Sequence, residues 1–220
     1  MERVIKLKPT DPNSNTAYNC NNSGCVFIMV KPMSKALLRH NLLSRRAAIT
    51  ADPQPLIAHI CNYIAAHGIA TAAAYVPTAT EPGGGLALID ALTSATQTLY
   101  LPAIAAQRQL TWGTYTAPSD LRRGRFNIPE PREAPWGNNV LASCELVLVP
   151  GLACTPGGVR LGRGGGFYDR ALAGLDRSVC ELAVVLHPWE VLDDIEFEPH
   201  DVLMDRIFTA EGTVRCSRDV

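Results

Sequence analysis

The sequence has little net charge and no long apolar run. Among its 220 residues, 20 lysines and arginines stand against 21 aspartates and glutamates, which gives a formal charge of −1 at pH 7. A general nucleic-acid-binding domain needs a strong basic excess, so this class of function is excluded and any basic site is local. No stretch reaches the roughly 18 apolar residues that a membrane-spanning helix needs, so we expect no membrane segment.

Cysteine patterns that hold metals or cross-link small folds are also absent. The seven cysteines are odd in number, irregularly spaced and never arranged as CxxC, which argues against a zinc site. Cys20 and Cys25 can pair with each other, and we expect the others to be buried or free thiols. This usage indicates a reducing compartment, so we expect a cytoplasmic protein.

The chain divides near its N-terminus. Residues 1–33 are polar and rich in turn-forming residues, and we expect them to be a poorly ordered N-terminal extension. Residues 34–220 alternate strand-like apolar runs, such as 146–150 and 182–186, with helix-like segments. This alternation predicts a single α/β domain, a layered fold with a central, largely parallel sheet flanked by helices. We expect the domain to be a monomer.

Local signals place the other elements. Ser34 and Gly68 are suited to cap the start of one helix and the end of the next. The pattern predicts helices over residues 34–49, 55–67 and 86–92, and strands over residues 71–76, 99–104, 111–115 and 207–209. We expect the strand over residues 111–115 to lie at an edge of the sheet.

The most informative stretch is rich in glycine and arginine. Residues 160–167 contain four glycines and two arginines, and Asp169 follows closely. Glycine lets the backbone turn tightly and brings amide N–H groups close to an anion, while arginine offers a fork of donors for phosphate or carboxylate. Asp169 offers the hard oxygen ligands that Mg²⁺ prefers. The segment indicates a nucleotide-phosphate site, with a flexible surface turn as the alternative.

The position of this segment favours the phosphate site. It matches neither the Walker A loop nor the dinucleotide-binding fingerprint. However, it lies between the apolar run at residues 146–150 and a helix-compatible segment at residues 167–172. Since α/β proteins place ligands where a strand leads through a loop into a helix, the segment lies where a ligand is expected.

Two further groups of charged residues have open interpretations. Glu81 ends an apolar strand before three glycines, and it either faces a ligand cleft or is an ordinary loop acid. Lys35, Arg39 and Arg46 share one face of the first predicted helix. That face is either an anion-binding stripe or a solvated basic surface.

A second acid suits a metal site. Asp201 follows His200 in a polar loop and is able to join Asp169 on one Mg²⁺, which commonly takes one or two carboxylates with waters and phosphate oxygens. No Ser-His-Asp order and no paired thiol and imidazole stand out, so the residues predict no protein nucleophile.

Residues 148–153 and 158–170 resemble the signature of the 5-formyltetrahydrofolate cyclo-ligase family, also called 5,10-methenyltetrahydrofolate synthetases. The resemblance extends over residues 34–210. Its further elements occur in the order of the family: Lys35 and Arg39 on an opening helix, the loop acid Glu81, a Phe-x-Ile-Pro-Glu-Pro element at residues 126–131, and the pair His200-Asp201.

The resemblance implies an enzyme that uses ATP and Mg²⁺ to cyclise 5-formyltetrahydrofolate to 5,10-methenyltetrahydrofolate through a phosphorylated formyl intermediate. The implied ATP contacts are Lys35, Arg39, Arg160, Leu161, Gly162, Arg163, Gly164, Gly165, Gly166, Phe167 and Tyr168. The implied folate contacts are Val76, Glu81, Arg163, Gly164, Gly165, Gly166 and Phe167. Asp169 and Asp201 match the Mg²⁺ ligands, and we expect Arg163 to act on the phosphoryl group.

The chain departs from the family at two places. Cys154-Thr155 stand where the family often has an aromatic residue followed by Asp, and Gly84 stands where many members have threonine. The missing acid at Thr155 leaves a non-catalytic folate- or nucleotide-binding relative as one alternative. A sugar-phosphate isomerase or acyl-transfer enzyme on a similar sheet is another, but it needs no ATP, and the arginine–glycine loop with Asp169 argues against it.

Overall fold

A computed structural model describes residues 16–21, 24–29 and 33–217 of the chain. Its helices are α1 (Lys35–Ala47), α2 (Gln54–His67), α3 (Leu86–Ala95) and α4 (Phe167–Leu172). Its strands are β1 (Thr16–Asn21), β2 (Gly24–Met29), β3 (Thr71–Ala73), β4 (Thr98–Ile104), β5 (Leu110–Thr114), β6 (Leu121–Arg123), β7 (Pro129–Pro131), β8 (Leu146–Pro150), β9 (Ala153–Cys154), β10 (Arg160–Leu161), β11 (Glu181–Val185), β12 (Arg206–Thr209) and β13 (Gly212–Arg215).

Seven strands form the central sheet in the order β13-β12-β11-β8-β3-β4-β5. The five inner strands from β12 to β4 are parallel to their inner neighbours. The two edge strands, β5 and β13, run antiparallel to the strands beside them. The predictions of a largely parallel sheet and of an edge strand at β5 are therefore confirmed.

The sheet is buried on both faces, as a layered α/β fold requires. Along β8, Leu146 and Leu148 belong to a cluster that contains the apolar faces of α2 and α3. Val147 and Val149 point to the opposite face, into a cluster that includes residues of α4 and β5. Alternate residues of one strand thus pack in two separate cores, because successive side chains leave a strand on opposite sides.

The helix ends follow the sequence signals. Ser34 is the N-cap of α1, and its side chain accepts a hydrogen bond from the backbone N–H of Leu37 at 3.4 Å. Gly68 ends α2 in the left-handed conformation with φ +63°, which glycine adopts without steric cost. The strand predicted over residues 71–76 is shorter than expected. Its ladder ends at Ala73, while Ala74 still donates a backbone hydrogen bond to Tyr100 at 2.9 Å.

The N-terminal segment contains an antiparallel hairpin of β1 and β2. The rest of residues 1–33, apart from Met33, lies outside the described residues, so the expected poor order of this segment stays a prediction. Cys20 and Cys25 lie opposite each other in the hairpin register, and their side chains are also outside the described part.

The cysteines whose side chains are described agree with the expected free thiols: Cys61, Cys144, Cys154, Cys180 and Cys216 are all unpaired by disulfides. In the parts of the chain that the structure covers, none of the helices combines the length and the apolar character that crossing a bilayer requires.

Candidate active site

A cavity of about 460 Å³ opens at the carboxyl end of β3 and β8. This is the edge of a parallel sheet where α/β proteins bind ligands, and the volume suits a small-molecule site. Eleven of the residues predicted for the site line it: Val76, Glu81, Arg160, Gly162, Arg163, Gly164, Gly165, Gly166, Phe167, Tyr168 and Asp169.

The glycine-rich loop leads from β10 into α4 and forms one wall of the cavity. Gly164 and Gly166 have φ values of +87° and +64°, which disfavour any residue with a Cβ. A Cβ on Gly165 would lie 2.8 Å from the ring of Phe167. The loop conformation therefore requires glycine at these positions, which explains the glycine run in the sequence.

Arg160 and Asp169 form an ion pair behind this loop. Arg160 is 7% exposed, donates from Nη1 to the carbonyl of Pro150 at 3.0 Å, and donates from Nη2 to Asp169 Oδ1 at 2.5 Å. Its Nε is buried and has no hydrogen-bond partner among the described residues. Both predicted residues thus lie at the cavity, and the pair between them is a contact that the sequence did not predict.

Glu81 lies in the loop after β3, and its side chain is only 8% exposed. Its Oε2 accepts hydrogen bonds from the backbone N–H of Thr78 at 2.8 Å and from the Thr78 hydroxyl at 2.9 Å. Its Oε1 lies 3.1 Å from Nη2 of Arg163, whose side chain is half exposed. The carboxylate therefore lies on the cavity wall with one oxygen fixed by Thr78 and the other paired with Arg163.

The basic residues of α1 have three different surroundings. Lys35 Nζ lies 2.6 Å from Glu198 and 3.1 Å from Asp201, while Arg39 donates from Nε to the carbonyl of Gly162 at 2.9 Å. Arg46 is 1% exposed and pairs with Glu190. The alternative of a solvated basic face is therefore wrong for Arg46, because a buried acid neutralises it.

The charge of Lys35 is reinforced by its partners. Burial alone would lower the pKa of Lys35, but hydrogen bonds to Glu198 and Asp201 outweigh this effect and raise it. Lys35, Arg39, Leu161 and Asp201 are not among the residues that line the cavity. Leu161 is buried in β10, with its backbone paired to Ala153.

The two predicted Mg²⁺ ligands have different partners. Asp169 lines the cavity, whereas Asp201 accepts from Lys35 and, at 2.9 Å, from the backbone N–H of Glu198. Ligand atoms of Glu198, His200 and Asp201 lie within 4.8 Å of one another. A single ion shared by Asp169 and Asp201 stays a prediction.

Two tyrosines lie at the base of the cavity. Burial raises the pKa of Tyr75 and of Tyr168 far above the usual range, so both phenols are neutral. The hydroxyl of Tyr168 is buried and has no hydrogen-bond partner in the described part of the chain. It is therefore an unused donor beside the glycine-rich loop.

The sequence did not predict the apolar wall of the cavity. This wall is formed by Pro102, Ile104, Leu110, Phe126, Ile128 and Pro129. Phe126 is 76% exposed and has a positive φ of 55°. Glu130 holds the segment, because its Oε1 accepts from the backbone N–H groups of Ile104 and Arg125, both at 3.3 Å. The only signal was the Phe-x-Ile-Pro-Glu-Pro element, which had no assigned role.

Thr155, where the family often has an acid, has a structural role. Its hydroxyl accepts from the backbone N–H of Val159 at 3.1 Å, and its own N–H donates to the Val159 carbonyl at 3.0 Å. Thr155 is buried and is not among the lining residues of the cavity. The missing acid at this position therefore removes no described contact from the cavity wall.

The chain is similar in sequence to known proteins. A family model described as the 5-formyltetrahydrofolate cyclo-ligase family matches residues 31–210. A 5-formyltetrahydrofolate cyclo-ligase of Mycolicibacterium smegmatis is 36% identical over 189 residues, which cover 82% of this chain and 95% of that protein. A protein of the same name from Escherichia coli K12 is 27% identical over 124 residues, covering 56% and 68%.

Solved structures share the fold. The structure of Aquifex aeolicus 5,10-methenyltetrahydrofolate synthetase superimposes with a TM-score of 0.69 at 24% identity, covering 86% of this chain and 95% of that chain. A 5,10-methenyltetrahydrofolate synthetase from Mycoplasma pneumoniae superimposes with a TM-score of 0.60 at 20% identity, covering 80% and 98%. Both confirm the α/β architecture.

Proposed function

This chain belongs to the 5-formyltetrahydrofolate cyclo-ligase family, a family of ligases, and we propose that it cyclises 5-formyltetrahydrofolate to 5,10-methenyltetrahydrofolate with ATP and Mg²⁺, releasing ADP and phosphate. One observation carries the proposal. A single cavity joins a buried carboxylate, Glu81, to a loop of glycines and arginines at the carboxyl edge of the sheet. The carboxylate suits a pterin, and the loop suits a triphosphate.

The glycine-rich loop binds the phosphates of ATP in this proposal. Its glycines allow backbone N–H groups to approach anionic oxygens, and Arg163, half exposed at the cavity, is free to turn toward the γ-phosphate. Arg39 supports the loop through the Gly162 carbonyl. Lys35 adds a charge whose raised pKa keeps it protonated at neutral pH.

Glu81 binds the folate. A carboxylate accepts two parallel hydrogen bonds from an amino group and a ring N–H, which is the edge that a reduced pterin offers. Thr78 fixes one of its oxygens, so the plane of the carboxylate is set before substrate arrives. The apolar wall at Ile104, Phe126 and Ile128 provides a surface for the aromatic part of the folate.

The donors at Asp169 and Asp201 fit Mg²⁺. Both are carboxylates, the ligand type that this ion takes together with phosphate oxygens and waters. Each carboxylate lies beside a cation in the structure: Asp201 beside Lys35, and Asp169 beside Arg160. When bound, Mg²⁺ would offset the negative charge of the phosphates.

The proposed chemistry needs no protein nucleophile. The formyl oxygen of the substrate attacks the γ-phosphorus of ATP, the bond to ADP breaks, and the formyl carbon becomes an iminium carbon bearing a phosphate. N10 then attacks this carbon and loses its proton, and the carbon–oxygen bond breaks to release phosphate with the former formyl oxygen. The protein positions the two reactants and neutralises the charge that moves to phosphate, which is the role of Arg163.

The test is an assay of the purified full chain with 5-formyltetrahydrofolate, MgCl₂ and ATP, followed through the absorbance of methenyltetrahydrofolate. We expect an increase that needs ATP. Binding of both ligands without ADP release would instead support the non-catalytic alternative, which no described contact of Thr155 favours. The free thiols support our further proposal of a reducing, cytoplasmic compartment, and we expect a monomer in solution.

A further inference from the structure

Arg46 is a buried arginine that the reaction described above does not use. Two of its nitrogens form a fork on Glu190: Nε lies 2.5 Å from Oε1 and Nη2 lies 2.7 Å from Oε2. Nη2 also donates to the carbonyl of Gly151 at 2.7 Å. Glu190 in turn accepts from the backbone N–H of His187 at 2.9 Å. The guanidinium is therefore held rigidly.

The third nitrogen of Arg46 faces the carboxylate of Glu81. Nη1 is buried and has no hydrogen-bond partner among the described residues. It lies 4.0 Å from Oε1 of Glu81. Neither Arg46 nor Glu190 lines the cavity, so any effect of Arg46 on a ligand has to pass through Glu81 or through Gly151.

The contacts of Arg46 join three neighbouring strands. Glu81 follows β3, Gly151 follows β8, and Glu190 follows β11, and these strands are adjacent in the central sheet. Arg46 thus connects the loops at the carboxyl ends of three parallel strands, where the cavity lies. A helix residue that ties these loops together sets the position of the cavity wall.

Arg163, the other cation beside Glu81, also has a role in the proposed reaction. Arg163 pairs with Oε1 of Glu81 at 3.1 Å, but its side chain is half exposed and belongs to the glycine-rich loop. In the proposed reaction Arg163 turns to the γ-phosphate and leaves Glu81. Other titratable groups near Glu81 are the neutral phenols of Tyr75 and Tyr168 and, near the loop of Thr80, His187. Among the described residues, Arg46 is then the cation that remains beside the carboxylate.

We propose that Arg46 is a positioning residue for folate binding: held by Glu190, it keeps the Glu81 carboxylate oriented toward the pterin N–H edge while Arg163 serves the phosphate. The inference rests on the proposed function. It identifies Arg46 as the residue that keeps Glu81 in position for folate when Arg163 has moved to the phosphate. Arg46 touches no reacting atom, so it is not a catalytic residue.

A binding cycle tests this role. Removing Arg46 alone would leave the buried Glu190 without a cationic partner, so the pair is replaced together as Arg46→Met/Glu190→Met, a change that buried ion pairs often tolerate. Affinities for 5-formyltetrahydrofolate and for ATP are measured by calorimetry in four proteins: the wild type, this double variant, Glu81→Gln, and the combination of all three substitutions.

We expect the double variant to bind 5-formyltetrahydrofolate at least ~10-fold more weakly, about 1.4 kcal/mol, a usual coupling between neighbouring charged groups. Affinity for ATP should change by less than about 2-fold. In the Glu81→Gln background the same replacement should cause no further loss, because Arg46 acts through Glu81. A contrary result would be that the Arg46/Glu190 replacement and Glu81→Gln reduce folate affinity by factors that simply multiply in the combined variant. Another would be that the double variant loses affinity equally for 5-formyltetrahydrofolate and for ATP. Either result would show a merely structural role of Arg46 and overturn the inference.

Matched variants complete the test. The pair Arg206–Glu181, 2.9 Å apart at the opposite end of the sheet, is the control: Arg206→Met/Glu181→Met should leave folate affinity unchanged. If thermal unfolding shows that the Arg46 double variant does not fold, Arg46→Lys replaces it. Lysine keeps the charge but cannot reach Glu190, Gly151 and Glu81 together, so folate affinity should fall only when Glu81 is present. Unchanged affinity in Arg46→Lys would contradict the inference.

The outcome also separates the two proposals. A wild type that binds no 5-formyltetrahydrofolate would overturn the proposed function, and this inference with it. If the wild type binds and cyclises the substrate but the losses of folate affinity in the variants multiply independently, only the role of Arg46 is overturned.

Discussion

At the scale of single residues, the cavity is defined by charged side chains whose partners limit their freedom. Asp169 is tied to Arg160, which is itself anchored on the Pro150 carbonyl. Glu81 is tied to Thr78 and faces Arg163. Each acid therefore has a fixed position, whereas Arg163 is half exposed and able to move to a ligand.

Asp169→Asn should lower kcat/KM by at least ~10²-fold, the usual cost of removing one charged group that stabilises transferring phosphate. The amide keeps the size of the side chain but loses the charge that pairs with Arg160 and that we propose serves Mg²⁺. Steady-state kinetics over a range of MgCl₂ concentrations measure the loss. Asp193→Asn, at an exposed position, is the control and should behave as the wild type. Near-normal turnover in Asp169→Asn would refute the metal role.

Arg163→Ala should reduce kcat by ~10²-fold, because it removes the donor that we propose stabilises the phosphoryl group during transfer. Its exposed side chain makes a loss of folding stability small, which a thermal melt checks. Arg215→Ala, on the exposed face of β13, provides the comparison. A kcat equal in the two variants would contradict the assignment of Arg163.

At the scale of elements, the loop between β10 and α4 turns tightly because glycine stands at its positive-φ positions. The loop lies against α1, where Arg39 holds the Gly162 carbonyl. The same sheet edge receives Glu81 from the loop after β3. Two loops and one helix thus bring the proposed phosphate and pterin sites side by side.

Gly164→Ala should raise the KM for ATP at least ~10-fold, since a left-handed alanine costs about 1–2 kcal/mol and disturbs the loop that we propose binds phosphate. Gly174→Ala is a matched control. Gly174 has a similar φ of +73°, and a Cβ there meets nothing within 4 Å. Both variants should lose similar stability in a thermal melt, but only Gly164→Ala should lose ATP affinity. An equal KM in both would show that the loop does not bind ATP.

At the scale of the whole molecule, every residue assigned to the site lies after Ser34 in the chain. The family match begins at residue 31, and Ser34 caps α1, which carries Lys35, Arg39 and Arg46. The hairpin of β1 and β2 precedes Ser34 along the chain. Activity should therefore not depend on the N-terminal segment.

A chain that lacks residues 1–33 should cyclise the substrate at a rate within about 2-fold of the full chain, a difference of less than about 0.5 kcal/mol in the barrier. Parallel assays of the two purified proteins measure this. A truncated protein that stays folded by circular dichroism but has no activity would show that the segment contributes to the site.

Much of this architecture could be predicted from sequence, because apolar runs such as that of β8 have one stable place in an α/β fold. Local cap signals located Ser34 and Gly68 correctly. The environment of Arg46 was beyond prediction, since helical spacing gives its face but not the distant acid, Glu190, that meets it. The apolar wall was also missed, because its residues come from separate strands and loops that only tertiary packing brings together.

The most direct test of the central claim follows the formyl oxygen. The substrate is prepared with a heavy oxygen isotope in the formyl group and incubated with the enzyme, ATP and MgCl₂, and the released phosphate is analysed by mass spectrometry. The account predicts methenyltetrahydrofolate together with one labelled oxygen in each inorganic phosphate. Formation of unlabelled phosphate, or no product that depends on ATP, would contradict it.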